Sequence, residues 1–339
     1  MSLFIEFESQ MTIVKSLIKE MKEAMPREIK INSHLILGDR GVGKTTIIKL
    51  FEEAVRADSK LNDAYNLMFV PASFHGIESF QVIERLISNV DVNRIKKHQI
   101  LVIDDLDLIL THSEGNAHAL RELLIRDEPR IALVATAHSS FADNLGPDKA
   151  LYGFLSQHTL EGATDNDVST LLKGVLRTPV WHKINEELVL TNTFWVMTIA
   201  DNNPRLLTIL RNVFHSFNVR MNDSKAKINP SHFLTLFFEM AGPSFRSELM
   251  ELPRSGRYFL EEASSYPHYF KIRDISLNVA NPSREASKLV QIGYLKKNED
   301  GEYSFSSRPL KSWLRYMKQI PLGKVLNVDL PVYARFAAR

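Results

Sequence analysis

Apolar residues recur at helical spacing from Glu8 to Met25 and stop at Pro26, which predicts an amphipathic helix closed by the proline. The pattern then changes character several times. Short apolar runs, "HLILG", "YNLMFVPAS", "QILVIDD", "RIALVATA" and "QHTLEG", read as strands. They alternate with helical patterns over Thr45–Val55, Ser79–Asn89, Asn116–Arg126 and Ser139–Leu155. Continuous apolar strands separated by helices imply a parallel sheet covered on both faces. From Thr164 to Gly242 the strand signals vanish. "DNDVSTLLKGVL", "ELVLTNTFWVMTIA", "PRLLTILRNVFHSF" and "SHFLTLFFEMA" suggest an all-helical lid, and "AGPSFRSELMELPRSG" reads as a linker. Beyond it, "SGRYFLEEASSYPHYF", "KIRDISLNVA" and "NPSREASKLVQIGYLKK" give three helix candidates leading into two short strands around Asp300-Gly301. That order outlines a winged helix-turn-helix. "FSSRPLKSWLRYMKQ", with Trp313 and Leu314, reads as a helix that closes the same domain. The implied division is 1–163, 164–242, 243–320 and a tail over 321–339.

Composition narrows the class. The 339 residues are 44% hydrophobic and 24% charged, enough for two or three folded domains each with its own core. Cysteine is absent, so neither a disulfide framework nor a thiolate zinc site is available, and a cytoplasmic compartment is expected. No apolar run approaches the ~18 residues of a membrane span, and the amino terminus lacks a basic segment followed by an apolar one, so neither membrane nor signal peptide is expected. The net charge of +2 is unevenly distributed. Residues 246–339 hold 16 Lys and Arg against 10 Asp and Glu, a balance of +6, whereas 1–245 balance at −4. An anionic partner at the carboxyl end is one reading of that excess and a solvated face is the other.

The chemistry lies in "LILGDRGVGKTTIIKL". Gly38, Gly41 and Gly43 let the chain curl so that successive N–H groups face inward at the start of a helix, a nest for phosphate. The spacing to Lys44 and Thr45 is GxxxxGK(S/T), in which the lysine reaches the β- and γ-phosphates and the hydroxyl ligates Mg²⁺, with Thr46 alongside. About 60 residues later "ILVIDD" ends a buried strand in carboxylates. Asp104 is placed to hold the water shell of Mg²⁺, and Asp105 falls where a base would orient the attacking water, although acids at strand ends are also ordinary turn residues. Histidines do not pair with carboxylates at ligand spacing, so no metal beyond Mg²⁺ is expected, and Phe194 and Trp195 are expected in the lid core.

These segments resemble the AAA+ ATPases and the related STAND signalling ATPases: "GDRGVGKT" as Walker A, "ILVIDD" as Walker B, "IALVATA" as the sensor 1 strand, and "DNNPRLL" as sensor 2. With the winged helix after the lid, the order is that of replication initiators of the origin-recognition type and of some archaeal and bacterial STAND ATPases. The resemblance implies an α/β P-loop sheet with a helical lid, ATP and Mg²⁺ as ligands, and a slow ATPase activity. It also implies Thr136 as sensor 1, with His138 as its competitor, and Arg205 as a sensor 2 reaching the γ-phosphate. Two departures stand out. The catalytic carboxylate of AAA+ proteins is usually Glu, and Asp105 is one methylene shorter. No Arg occurs between Ile131 and Leu176, where an arginine finger is usual, which leaves Arg121, Arg126 and Arg130 as candidates. At the winged helix, Arg284 and Lys288 lie four apart on the recognition helix and Lys296 and Lys297 flank the wing, an arrangement that suits duplex DNA. A protein partner is the rival expectation there, assembly into a homo-oligomer on ATP binding is a third, and a small-molecule kinase is a distant alternative.

Overall fold

The computed structural model describes residues 7–27, 29–70, 83, 98–110, 114–126, 131–164, 166–168, 199–220, 230–266, 268–275 and 281–318. The chain divides into two compact units, Glu6–Glu161 and Gly162–Arg339. The helix expected over Ser79–Asn89 lies outside the described residues except for Ile83, as do Phe194 and Trp195. Among the described residues no helix is long and apolar enough to cross a membrane.

The first unit is a five-stranded parallel sheet: β1 (Ser33–Leu37), β2 (Tyr65–Val70), β3 (His98–Ile103), β4 (Ile131–Ala137) and β5 (Leu155–Thr159), in the order β2-β3-β4-β1-β5. Alternation along the strands sorts the core into two layers. Ile36, Ile100, Val102 and Val134 lie in one, with α1 (Glu8–Ala24) and α2 (Lys44–Ala57). Leu35, Leu101, Ile103 and Leu133 lie in the other, with α4 (Leu106–Leu110) and α5 (Glu114–Ile125). A short α3 (Ser59–Ala64) separates α2 from β2 because Asp58 restarts the helix, its carboxylate accepting from the N–H groups of Lys60 and Leu61.

Two expectations in this unit need correction. The helix expected over Ser139–Leu155 is a 3₁₀ segment that ends at Leu145. Pro147 drives the preceding Gly146 to an extended backbone, ψ 168°, and the chain continues in turns. The last strand begins at Leu155, two residues before "QHTLEG"; it is an edge strand whose one buried residue is Leu155, so the apolar pattern locates it poorly.

In the second unit, α6 (Pro204–Arg220) packs against α7 (Pro230–Met250). The segment read as a linker is helix as far as Met250, with Pro243 inside it. Leu234, Phe237, Phe238, Ala241, Phe245 and Leu249 are all buried, a stripe at helical spacing whose burial outweighs the hydrogen bond lost at the proline. Then follow α8 (Arg254–Ala263), a 3₁₀ turn at Ile272–Asp274, α9 (Pro282–Gln291), the antiparallel pair β6 (Leu295–Lys297) and β7 (Tyr303–Phe305), and α10 (Arg308–Met317). Of the helix expected over "KIRDISLNVA" only the 3₁₀ turn is present among the described residues, and the backbone is extended again at Ile275. Phe270 bridges to Tyr303 through bonds of 3.0 and 2.8 Å, an isolated antiparallel bridge beside the hairpin. The closing helix is as expected: Trp313 lies 5.5 Å from Phe245, and Tyr316 stacks on Phe238 at 5.4 Å.

Candidate functional site

Strand order brings three carboxyl-terminal strand ends side by side, because β4 lies between β3 and β1 and Ile36 of β1 pairs with Thr136 of β4. In an open parallel sheet this edge is where ligands sit. Gly38 leaves β1 with its N–H on the Ala137 carbonyl, 3.2 Å. Gly41 and Gly43 hold φ of 78° and 101°, left-handed conformations that glycine adopts without strain, and Gly43 caps α2. The curl places the N-terminal end of α2 at its mouth, which favours an anion.

Lys44 is buried, 7% exposed, and its Nζ donates to the carbonyls of Gly38 (2.7 Å) and Asp39 (3.1 Å). Burial lowers its pKa, opposed by the charges of Asp105 and Asp107. Thr45 donates its hydroxyl to Asp104 at 2.6 Å, so the two residues expected at Mg²⁺ are in direct contact. On its other oxygen Asp104 accepts the Thr136 hydroxyl at 2.5 Å, and the same hydroxyl accepts the Asp105 N–H at 2.9 Å. Thr136, fully buried, thus fixes the Asp104 carboxylate and the backbone of Asp105 at the β3 end. Asp105 sits at φ 53°, an uncommon conformation for a non-glycine, and burial followed by the Asp104 charge raises its pKa to about 6. Thr46 is partly exposed in the first turn of α2.

Further contacts carry no sequence signature. Ser139 donates to the Asp39 carboxylate, with His138 Nε2 3.8 Å from the same group. Asp107 accepts the His138 N–H at 3.3 Å, and burial raises its pKa. The first arises from the register of β1 against β4 and the second from that of β3 against β4, which a single strand pattern does not reveal.

The remaining site residues are distributed elsewhere. Arg205, exposed in the first turn of α6, belongs to the second unit; Asn203 caps that helix through the N–H groups of Arg205 and Leu206. Arg121 lies over the Phe154 ring at 4.9 Å, Arg126 is exposed, and Arg130 falls outside the described residues. Arg284 and Lys288 lie on the exposed face of α9, beside Ser283, Ser287 and Gln291, and Asn281 caps the helix by accepting the Arg284 N–H at 3.0 Å. Lys296 and Lys297 are exposed on β6, with Lys297 Nζ 5.6 Å from the Tyr303 ring centre. Among the described residues no group of three His, Cys, Asp or Glu side chains could hold a metal ion. The pairing of one carboxylate with one hydroxyl beside a phosphate nest suits Mg²⁺, which takes few protein ligands and completes its shell from phosphate and water.

A parallel sheet carrying a phosphate nest on β1 and paired carboxylates on β3 is the P-loop nucleotide-binding fold of AAA+ type, akin to that of the origin-recognition proteins. The family model described as Bacterial TniB protein matches residues 2–73, which contain α1, the P-loop and α2. Among solved structures, the ORC1 protein of Aeropyrum pernix in complex with DNA is similar over 93% of this chain and 94% of its own, at 15% identity and a TM-score of 0.56. The ORC2 protein of the same organism, in ADPNP and ADP complexes, is similar over 94% and 95%, at 11% identity and a TM-score of 0.54. None of the curated proteins matches the sequence.

Proposed function

We propose that the chain is an ATP-dependent molecular switch that binds ATP with Mg²⁺ at the sheet edge and couples its nucleotide state to duplex DNA binding through α9 and the β6–β7 hairpin. The observation that carries this reading is the contact between Thr45 and Asp104, 2.6 Å, beside the buried Lys44 in a glycine curl. Lys44 and the backbone N–H groups from Gly41 to Thr45 would hold the β- and γ-phosphates, with Thr46 alongside. Thr45 and Asp104 would hold Mg²⁺, whose charge would stabilise the phosphoryl oxygens. Asp105 would orient the attacking water, Thr136 would hold the Asp104 carboxylate and the Asp105 backbone in place, and Arg205 would sense the γ-phosphate. A carboxylate one methylene shorter than Glu makes slow turnover the expectation.

The functional division that goes with this reading is a nucleotide core over 1–163, a lid over 164–242, a winged helix over 243–320 and a tail beyond. DNA as partner is supported by the exposed Arg284, Lys288, Lys296 and Lys297, by the +6 balance after residue 245, and by the similarity to an origin-recognition protein solved with DNA. Replication, target selection by a mobile element and defence are all compatible jobs for a cytoplasmic switch of this kind. A second reading, a STAND-like signalling or assembly ATPase whose winged helix contacts a protein, draws support from the lack of Arg between Ile131 and Leu176. The test is duplex affinity, by fluorescence anisotropy at low salt, with ATP·Mg²⁺ and with ADP. Binding that differs between the two supports the switch. No binding with either removes DNA as the partner and leaves the protein-partner reading.

A further inference from the structure

The first turn of α1 brings a buried amide against the back of the phosphate nest. Gln10 is 1% exposed, and its Nε2 donates to the Val42 carbonyl at 3.2 Å. The same nitrogen fills the space where a side chain on residue 43 would begin, 2.0 Å from an ideal Cβ, so glycine there leaves room for the amide. Gln10 Oε1 is buried and has no hydrogen-bond partner among the described residues. The layer between α1 and α2 is otherwise apolar, with Ile13, Val14, Val42 and Ile47 all buried. A buried amide oxygen without a partner works against the fold, and a leucine would suit that layer better. A polar group kept at such a cost calls for a role beyond packing.

We propose that Gln10 is a positioning residue for the phosphate nest. In a trans peptide the C=O and N–H point in opposite directions. By drawing the Val42 carbonyl toward α1, the Gln10 amide turns the Gly43 N–H to the opposite side, where a phosphate oxygen in the curl would meet it. The helix ahead of β1 therefore sets the aim of one donor in the P-loop. This rests on the nucleotide reading of that loop, and deepens it by assigning part of the phosphate affinity to a residue outside the motif.

The test is calorimetry with ATP·Mg²⁺ on the full chain, comparing the parent with Gln10→Leu, Gln10→Glu and Lys44→Ala, together with thermal denaturation without nucleotide. Gln10→Leu is expected to melt at or above the parent's temperature and to bind ATP at least tenfold more weakly. Relative to the parent at each pH, Gln10→Glu is expected to regain affinity as pH falls, because only the protonated acid can donate to the Val42 carbonyl. Parent-like affinity in Gln10→Leu overturns the proposal. If Gln10→Leu instead loses stability, Gln10→Glu decides: affinity that does not recover with falling pH overturns it as well. A parent that does not bind ATP, or a Lys44→Ala variant that binds equally, overturns the nucleotide reading and takes this proposal with it. A parent that binds beside an unaffected Gln10→Leu overturns this proposal alone.

Discussion

Asp105 holds its carboxyl where burial and then the charge of Asp104 both disfavour the ionised form. Its pKa in the folded chain, about 6, lies above that of the unfolded chain, so ionisation costs the folded state. The sign follows: with chelator and without nucleotide, the parent matches Asp105→Asn near pH 4 and falls behind as pH rises through 6. By pH 8 the gap should reach up to roughly 3 kcal/mol in denaturant unfolding. Equal stability of the two at pH 8 contradicts the shift. Lys44→Ala should cost ATP at least tenfold in affinity, about 1.4 kcal/mol by calorimetry, since it removes the cation of the nest. The phosphate nest is legible in sequence because it is local: five residues at fixed spacing carry it. The contacts of Asp107 and Gln10 are not, since each depends on a partner at least 31 residues away that only strand register or helix packing brings near, and Thr136 is singled out only through the family resemblance.

Elements were legible where one face of the chain is buried and obscure where local signals conflict with packing. The central strands β1, β3 and β4 read clearly because they are buried along nearly their whole length, unlike the edge strand β5, and α1 because its stripe is regular. The Gly242-Pro243 pair, by contrast, signals a break that does not occur, since Phe245 and Leu249 continue the buried stripe past it. The Tyr294 hydroxyl also donates to the Glu248 carbonyl at 2.9 Å, fastening the far end of α7. Trypsin should therefore leave the bond after Arg246 intact in the folded protein, because a protease needs extended backbone and Arg246, though exposed, is helical. Rapid cleavage there would restore the linker. Asn281→Ala removes the cap of α9 and should cost about 1 kcal/mol of stability in the second unit, read by chemical denaturation.

For the whole molecule the decisive behaviour is linkage between ligands. Changing Lys296 or Lys297 to Ala should weaken duplex binding about equally on all sequences and lower the salt slope by about one unit for each phosphate no longer neutralised. Arg284→Ala should matter more on a preferred sequence than on a random one if its guanidinium meets a base edge. Assembly is checked by the solution mass with and without ATP, where growth with nucleotide would mark a homo-oligomer. The change from alternating strands to helices reads at 163/164 and the next bound at 242/243; the second falls inside α7, so the segments read as lid and winged helix share that helix. That shared helix has a mechanical consequence. At 21 residues α7 is a rod of about 30 Å. It packs on α6, which carries Arg205, and on α10 behind the hairpin. Under the proposed switch, a tilt of α6 would be carried along α7 as along a lever arm rather than lost as in a tether, with Pro243 the point where the rod lacks a backbone hydrogen bond.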